Sequence, residues 1–123
     1  MNKEHCIKSI KEFAQFGDNW DSYGSPSFNP ELLKYACSIV ENLREDTPEP
    51  CYNMIGGSAI PTGASTVQLE WRYKGKYLEI EITPESIVWL KDRAENSKIE
   101  DTESGEFFSN RKKKIDNLIK WLL

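Results

Sequence analysis

One segment, Val67–Ile82, constrains this chain more than any other. Val67, Leu69, Trp71 and Tyr73 alternate with Gln68, Glu70 and Arg72, and Leu78, Ile80 and Ile82 alternate with Tyr77, Glu79 and Glu81. Lys74-Gly75 stands between the two runs. A period of two with a two-residue break predicts an antiparallel hairpin, one face packed and the other polar. A loop at Lys74-Gly75 sets Trp71 opposite Leu78, Leu69 opposite Ile80 and Val67 opposite Ile82. Every apolar residue then shares one face. A slip of one residue would put the two apolar sets on opposite faces, so the register is strongly specified.

The flanking segments predict helices. Cys6, Ile7, Ile10, Phe13 and Ala14 recur at helical spacing, predicting a helix over 2–16 with Gly17 as its left-handed stop. Asn29-Pro30-Glu31 is a strong start signal for a second helix over 30–46: Asn caps, Pro suits the first turn and Glu suits the positive helix end. Pro48 and Pro50 end it. A third helix is expected over about 106–122, from Phe108, Ile115, Leu118, Ile119 and Leu122. Further strands are expected at 51–55 and 87–91, beside the hairpin strands at 66–73 and 77–83. The stretch 92–105 reads as a polar, mobile loop, and Gly56–Ala64 as irregular with a short edge strand near Ile60. The whole is one α+β domain over 1–123, a two-layer fold in which an antiparallel meander of three to four strands packs against about three helices.

Between the first two helices, residues 17–29 form an aromatic loop containing Trp20-Asp21-Ser22-Tyr23-Gly24. This loop, Pro61-Thr62-Gly63, and the Gln68-Leu69-Glu70-Trp71 strand together resemble a loose group of small bacterial and phage proteins. Those proteins carry a W-D-x-x-G loop and a Q-L-E-W strand. The resemblance spans roughly residues 13–90. It implies an architecture and a bacterial or phage setting, and it brings no established activity and no functional residue.

Composition narrows the function classes. A net charge of −4 argues against a sequence-independent grip on phosphate backbones, so no nucleic acid is expected. The basic run Arg111-Lys112-Lys113-Lys114 spans more than a helical turn and shares no single face, so it reads as a solvated helix surface. The three cysteines, Cys6, Cys37 and Cys51, form no C-x-x-C pair, so neither a disulfide framework nor a zinc ribbon is expected. Cysteines packed as free hydrophobes suit a reducing cytoplasm, the expected setting, and MNKEHCIKSIKEF carries no visible signal peptide and no run suits a membrane span. The one histidine, His5, leaves Cys–His and Ser–His chemistry a single possible base. Gly57 and Gly63 lie six apart, and Ala64-Ser65 stands where a phosphate loop requires Lys-[ST]. No cofactor, metal or catalytic residue is assigned.

Two surfaces remain as candidate binding sites. On the polar hairpin face Glu70 lies opposite Glu79, with Gln68 opposite Glu81 and Arg72 diagonal to the carboxylates. Like charges across a ladder are mildly destabilising, which suits either a plain solvated face or a partner. In the aromatic loop, Trp20, Asp21 and Tyr23 read either as binding anchors or as a pin holding two helices. The expected function is a non-enzymatic protein-binding module, an accessory, inhibitor or antitoxin-like partner acting through Trp20, Asp21, Tyr23, Glu70, Arg72, Glu79 and Glu81. The alternatives are a small enzyme or ligand-binding protein with a pocket between the Trp20 loop and the sheet, and a homodimer formed through the edge of the hairpin or the third strand.

Overall fold

A computed structural model describes residues 2–56, 65–93 and 102–123. The elements run α1 (Lys3–Glu12), a 3-10 turn (Phe13–Gln15), α2 (Pro30–Glu41), β1 (Cys51–Ile55), β2 (Thr66–Tyr73), β3 (Lys76–Ile82), β4 (Ile87–Arg93), β5 (Glu103–Phe107) and α3 (Arg111–Leu122). The strands form one antiparallel sheet in the order β1-β2-β3-β4-β5. The expected short strand near Ile60 lies outside the described residues.

The hairpin adopts the expected register, with Val67, Leu69 and Trp71 opposite Ile82, Ile80 and Leu78. Its turn works because Lys74 and Gly75 both take positive φ, +50° and +73°. That conformation matches the right-handed twist of the strands. These six apolar side chains and Ile87 are buried on the inner face. From the helices, Cys6, Ile10, Leu33, Ala36, Val40, Ile119 and Leu122 belong to the same core. The Trp71 indole N–H donates to the Pro48 carbonyl at 2.7 Å, so the largest buried side chain leaves no polar atom unpaired.

Several sequence expectations are corrected. The stretch 92–105 is not simply a loop: β4 continues through Asp92 to Arg93, and Glu103-Ser104-Gly105 begins a fifth strand. An edge strand is held by backbone hydrogen bonds and needs no apolar alternation, so Glu103–Phe107 carries little local signal. Gly105 makes a close fit there, since a Cβ would sit 2.9 Å from atoms of the Trp89 ring. The third helix consequently starts at Arg111 and not near 106. The second helix ends at Glu41 and not at 46, where Asn42 bonds back to the Ser38 carbonyl through its side chain at 2.8 Å. The first helix tightens into the 3-10 turn, and among the described residues the left-handed glycines are Gly24 and Gly75, not Gly17. The hairpin and third strand offer no open edge, since β2, β3 and β4 are each paired on both sides and the outermost strands are β1 and β5.

The basic run at the start of α3 diverges. Arg111 reaches the Tyr35 hydroxyl and, at 2.8 Å, the Glu85 carbonyl. Lys112 reaches the Asn42 carbonyl and Asp116, and Lys114 lies over the Phe107 ring. Two of the four cations therefore tie α3 to α2 and to the β3–β4 turn. No helix among the described residues is long and apolar enough to cross a membrane.

Candidate functional site

The three helices pack on the inner face of the sheet. Its outer face is built from the alternate residues of the strands. Across the hairpin, Gln68 faces Glu81, Glu70 faces Glu79 and Arg72 faces Tyr77. Strand β1 adds Asn53 opposite Gln68, and β4 adds Val88, Leu90 and Asp92 opposite Glu81, Glu79 and Tyr77. Strand β5 adds Glu106 opposite Val88.

The expected confrontation of Glu70 and Glu79 is present, but each carboxylate has its own donor. Arg72 Nε lies 3.2 Å from Glu70 Oε1, and its guanidinium sits 4.8 Å above the Tyr77 ring. Glu79 Oε2 accepts from Gln68 Nε2 at 3.0 Å and from the Tyr77 hydroxyl at 2.6 Å. Asn53 Nδ2 donates to Gln68 Oε1 at 3.2 Å, which orients the glutamine amide towards Glu79. Glu81 Oε2 accepts from Thr66 at 2.7 Å, and Glu106 Oε2 accepts from Ser86 at 2.6 Å. A hydrogen-bonded row therefore runs from β1 through β2 to β3. Such a row restricts side-chain rotamers, so less conformational entropy remains to be lost when a surface like this is covered. Partial burial, followed by the bond to Glu79, raises the Tyr77 hydroxyl well above the ordinary tyrosine range, so it remains a donor at neutral pH.

The aromatic loop meets this face at one corner. Trp20 is half-buried, its ring 5.4 Å from Phe28 and 6.2 Å from Phe16. Its indole N–H is shared between the Pro26 carbonyl at 3.0 Å and Ser65 Oγ at 3.1 Å, just before β2. Asp21 Oδ1 accepts from the backbone N–H groups of Tyr23 and Ser25, at 3.0 and 3.2 Å, and Oδ2 accepts from the Ser25 hydroxyl. The Ser25 hydroxyl first, and the backbone donors after it, hold the Asp21 carboxyl below its ordinary value. Asn19 and Ser22 take positive φ beside Gly24, and the Asn19 side chain accepts from the Gly24 N–H at 2.7 Å. The side chains of Trp20 and Asp21 thus hold the loop together, while Tyr23 is 80% exposed.

Of the residues singled out from sequence, the structure brings Glu70, Arg72, Glu79 and Glu81 onto one face. Trp20 and Asp21 sit at the Ile55/Thr66 end of that face through Ser65 and Gly56. Gln68 and Tyr77 organise the face, and their place on it was visible in the strand alternation. Asn53, Leu90 and Glu106 join only through the strand order, which no local pattern carries.

Chemistry-bearing residues elsewhere are dispersed. His5 stands exposed on α1 with its ring 6.3 Å from Tyr52. Cys6 is buried, and burial pushes its thiol up to about 11, making it a poor nucleophile. Among the described residues no group of three His, Cys, Asp or Glu is placed to hold a metal ion. Among the described residues, surface grooves lie between α1 and α2, between α2 and α3, at the start of α3, and between α3 and the β4–β5 side of the sheet. None of these four is lined by Trp20, Asp21 or Tyr23. No family model, curated protein or solved structure matches the chain.

Proposed function

We propose that this chain is a non-enzymatic protein-binding module whose outer sheet face receives the partner. The observation that carries the reading is the pre-ordered row Asn53–Gln68–Glu79–Tyr77, on a face against which no described helix packs. Half-buried Val88 and Leu90 give this face an apolar strip beside the carboxylates. Mixed apolar and hydrogen-bonding area of this kind suits a protein surface, where area supplies affinity and fixed polar groups supply specificity. The carboxylates Glu70, Glu79, Glu81, Asp92 and Glu106 outnumber Arg72, the one cation on this face among the described residues. A partner presenting lysine or arginine is therefore favoured, and electrostatic steering would speed the encounter.

The bacterial or phage setting, the cytoplasmic location and the accessory, inhibitor or antitoxin-like role belong to this same proposal. The resemblance of the W-D-x-x-G loop and the Q-L-E-W strand supports the bacterial or phage setting, and free Cys6, Cys37 and Cys51 support a reducing cytoplasm.

The test is affinity purification from the native host with the wild-type chain and with the Glu70→Lys/Glu81→Lys variant. Both side chains are half-buried on the outer face of the sheet and do not enter the core. The reading expects a protein that co-purifies with the wild type and is lost from the variant, with circular dichroism unchanged. A folded variant that retains the same partner at the same affinity removes the outer face as the binding surface.

A further inference from the structure

The groove between α1 and α2 is polarised along its length. Its volume is about 610 Å³, and Ile7, Ala14, Leu33 and Cys37 form an apolar floor. The two helices run antiparallel: Lys3 Nζ bonds the Glu41 and Leu43 carbonyls, while Cys37 Sγ lies 3.8 Å from the Ile7 carbonyl. Lys11 therefore comes level with Lys34 at one end of the groove, and Glu41 stands at the other. Lys11, Lys34 and Glu41 are all exposed, and none has an ion-pair partner among the described residues.

Lys34 and Glu41 are seven residues apart, two helical turns, so they project from the same side of α2. A helix laid antiparallel on α2 about a two-fold axis between positions 37 and 38 sets residue i opposite residue 75 − i. Lys34 then faces Glu41 of the second copy and Glu41 faces its Lys34, with Lys11 adding a second cation beside each glutamate. At a crossing angle near 20°, side chains two turns apart on each helix separate by only about 2 Å from exact opposition, so both pairs close together. Self-complementarity of this kind is what an isologous interface requires.

We propose that this groove is a dimer interface, occupied by α2 of a second copy of this chain. The helix face involved points away from the residues that pack on the sheet, so the dimer stacks helix layer on helix layer. Both outer sheet faces stay open, and each dimer presents two of the surfaces proposed above to bind a partner. The two surfaces are separate, so loss of one does not remove the other.

Sedimentation equilibrium across a wide concentration range tests this directly, with circular dichroism confirming each fold. The wild type is expected to be dimeric at high concentration. Lys34→Glu and Glu41→Lys each place like charges at both symmetry-related contacts, and each is expected to weaken association about tenfold or more. The double variant Lys34→Glu/Glu41→Lys restores opposite pairs only in the antiparallel two-fold arrangement and is expected to return to within about threefold of wild type. A second measurement uses Ser38→Cys in a Cys51→Ser background, where a short bismaleimide should join two chains near the axis. A wild type that stays monomeric at all concentrations overturns the proposal. So does a double variant no better than the singles, or a Ser38→Cys chain that does not cross-link at dimeric concentration.

Discussion

Gly56 lies against Asp21 so closely that a Cβ on it would stand 2.4 Å from Asp21 Oδ2 and equally close to Ser25 Oγ. The end of β1 and the tip of the aromatic loop are thus fitted to one another through the absence of a side chain. Replacing Gly56 with Ala must push the Asp21–Ser25 pair aside, costing about 1–3 kcal/mol. Because the clash is with the tips of side chains, Ser25→Ala should recover part of that loss. Urea denaturation of the two single variants and the double variant measures the coupling; simple additivity would show that the close approach does not matter.

Asp21 also makes the loop sensitive to acid. Its folded carboxyl lies below the ordinary 3.8, chiefly because the Ser25 hydroxyl donates to it. A carboxyl more acidic in the folded state contributes stability above its unfolded value, and that contribution is lost as pH falls through the folded value. Asp21→Asn is expected to lower stability at neutral pH and to flatten the acid limb of the stability curve below about pH 4. An unchanged acid limb in stability-versus-pH measurements would sink the assignment.

Tyr77 predicts the opposite limb. Its hydroxyl is held protonated, first by burial and then by the bond to Glu79, so it ionises later than an ordinary tyrosine at 10.0. The folded state therefore holds a proton that the unfolded state releases, and stability should fall as pH rises above about 10. Absorbance titration of wild type and Tyr77→Phe should show that the missing tyrosine belongs to the late-ionising fraction. Glu79→Gln should bring Tyr77 part of the way back, since burial remains. Finding Tyr77 in the ordinary range would refute the pre-ordered row.

In the core, Trp71→Phe removes the indole N–H from the part-buried Pro48 carbonyl and leaves space beside Leu78. The expected cost is about 2–4 kcal/mol, from an unpaired acceptor together with a cavity. The denaturation midpoint should drop with an unchanged m-value, because the surface exposed on unfolding is nearly the same.

Gly105→Val probes the fifth strand. A side chain there would run into the Trp89 indole, whose nearest atoms lie 2.9 Å from the Cβ position. Trp89 must turn away or β5 must part from β4, so tryptophan fluorescence should shift and stability should fall by about 1–3 kcal/mol. A variant with wild-type emission and stability would mean that β5 does not cross Trp89.

Much of this molecule was legible in its residues, for a definite reason. The pairing of Val67–Tyr73 with Lys76–Ile82 follows from local information: a period of two and a dipeptide able to take positive φ twice. Asn29-Pro30-Glu31 similarly marked the start of α2, since a cap is made by neighbours in sequence. Even the meeting of Glu70 with Glu79 followed from the register. Glu103–Phe107 was not legible, because an edge strand is held by backbone groups that every residue carries and by a partner strand elsewhere in the chain.

The chain's own pattern therefore determined the hairpin, its buried and polar faces and the helices that cover one of them. Tertiary structure alone decided what those parts do to each other. It gave Glu70 to Arg72 and Glu79 to Gln68 and Tyr77, and made Trp20 and Asp21 the fastening of the aromatic loop. It also set Lys11 level with Lys34 and opposite in sign to Glu41 along one groove. Periodicity reports which face a side chain takes. Hydrogen-bond partners and grooves depend on distances between residues far apart in sequence, and those distances exist only once the sheet and helices have packed.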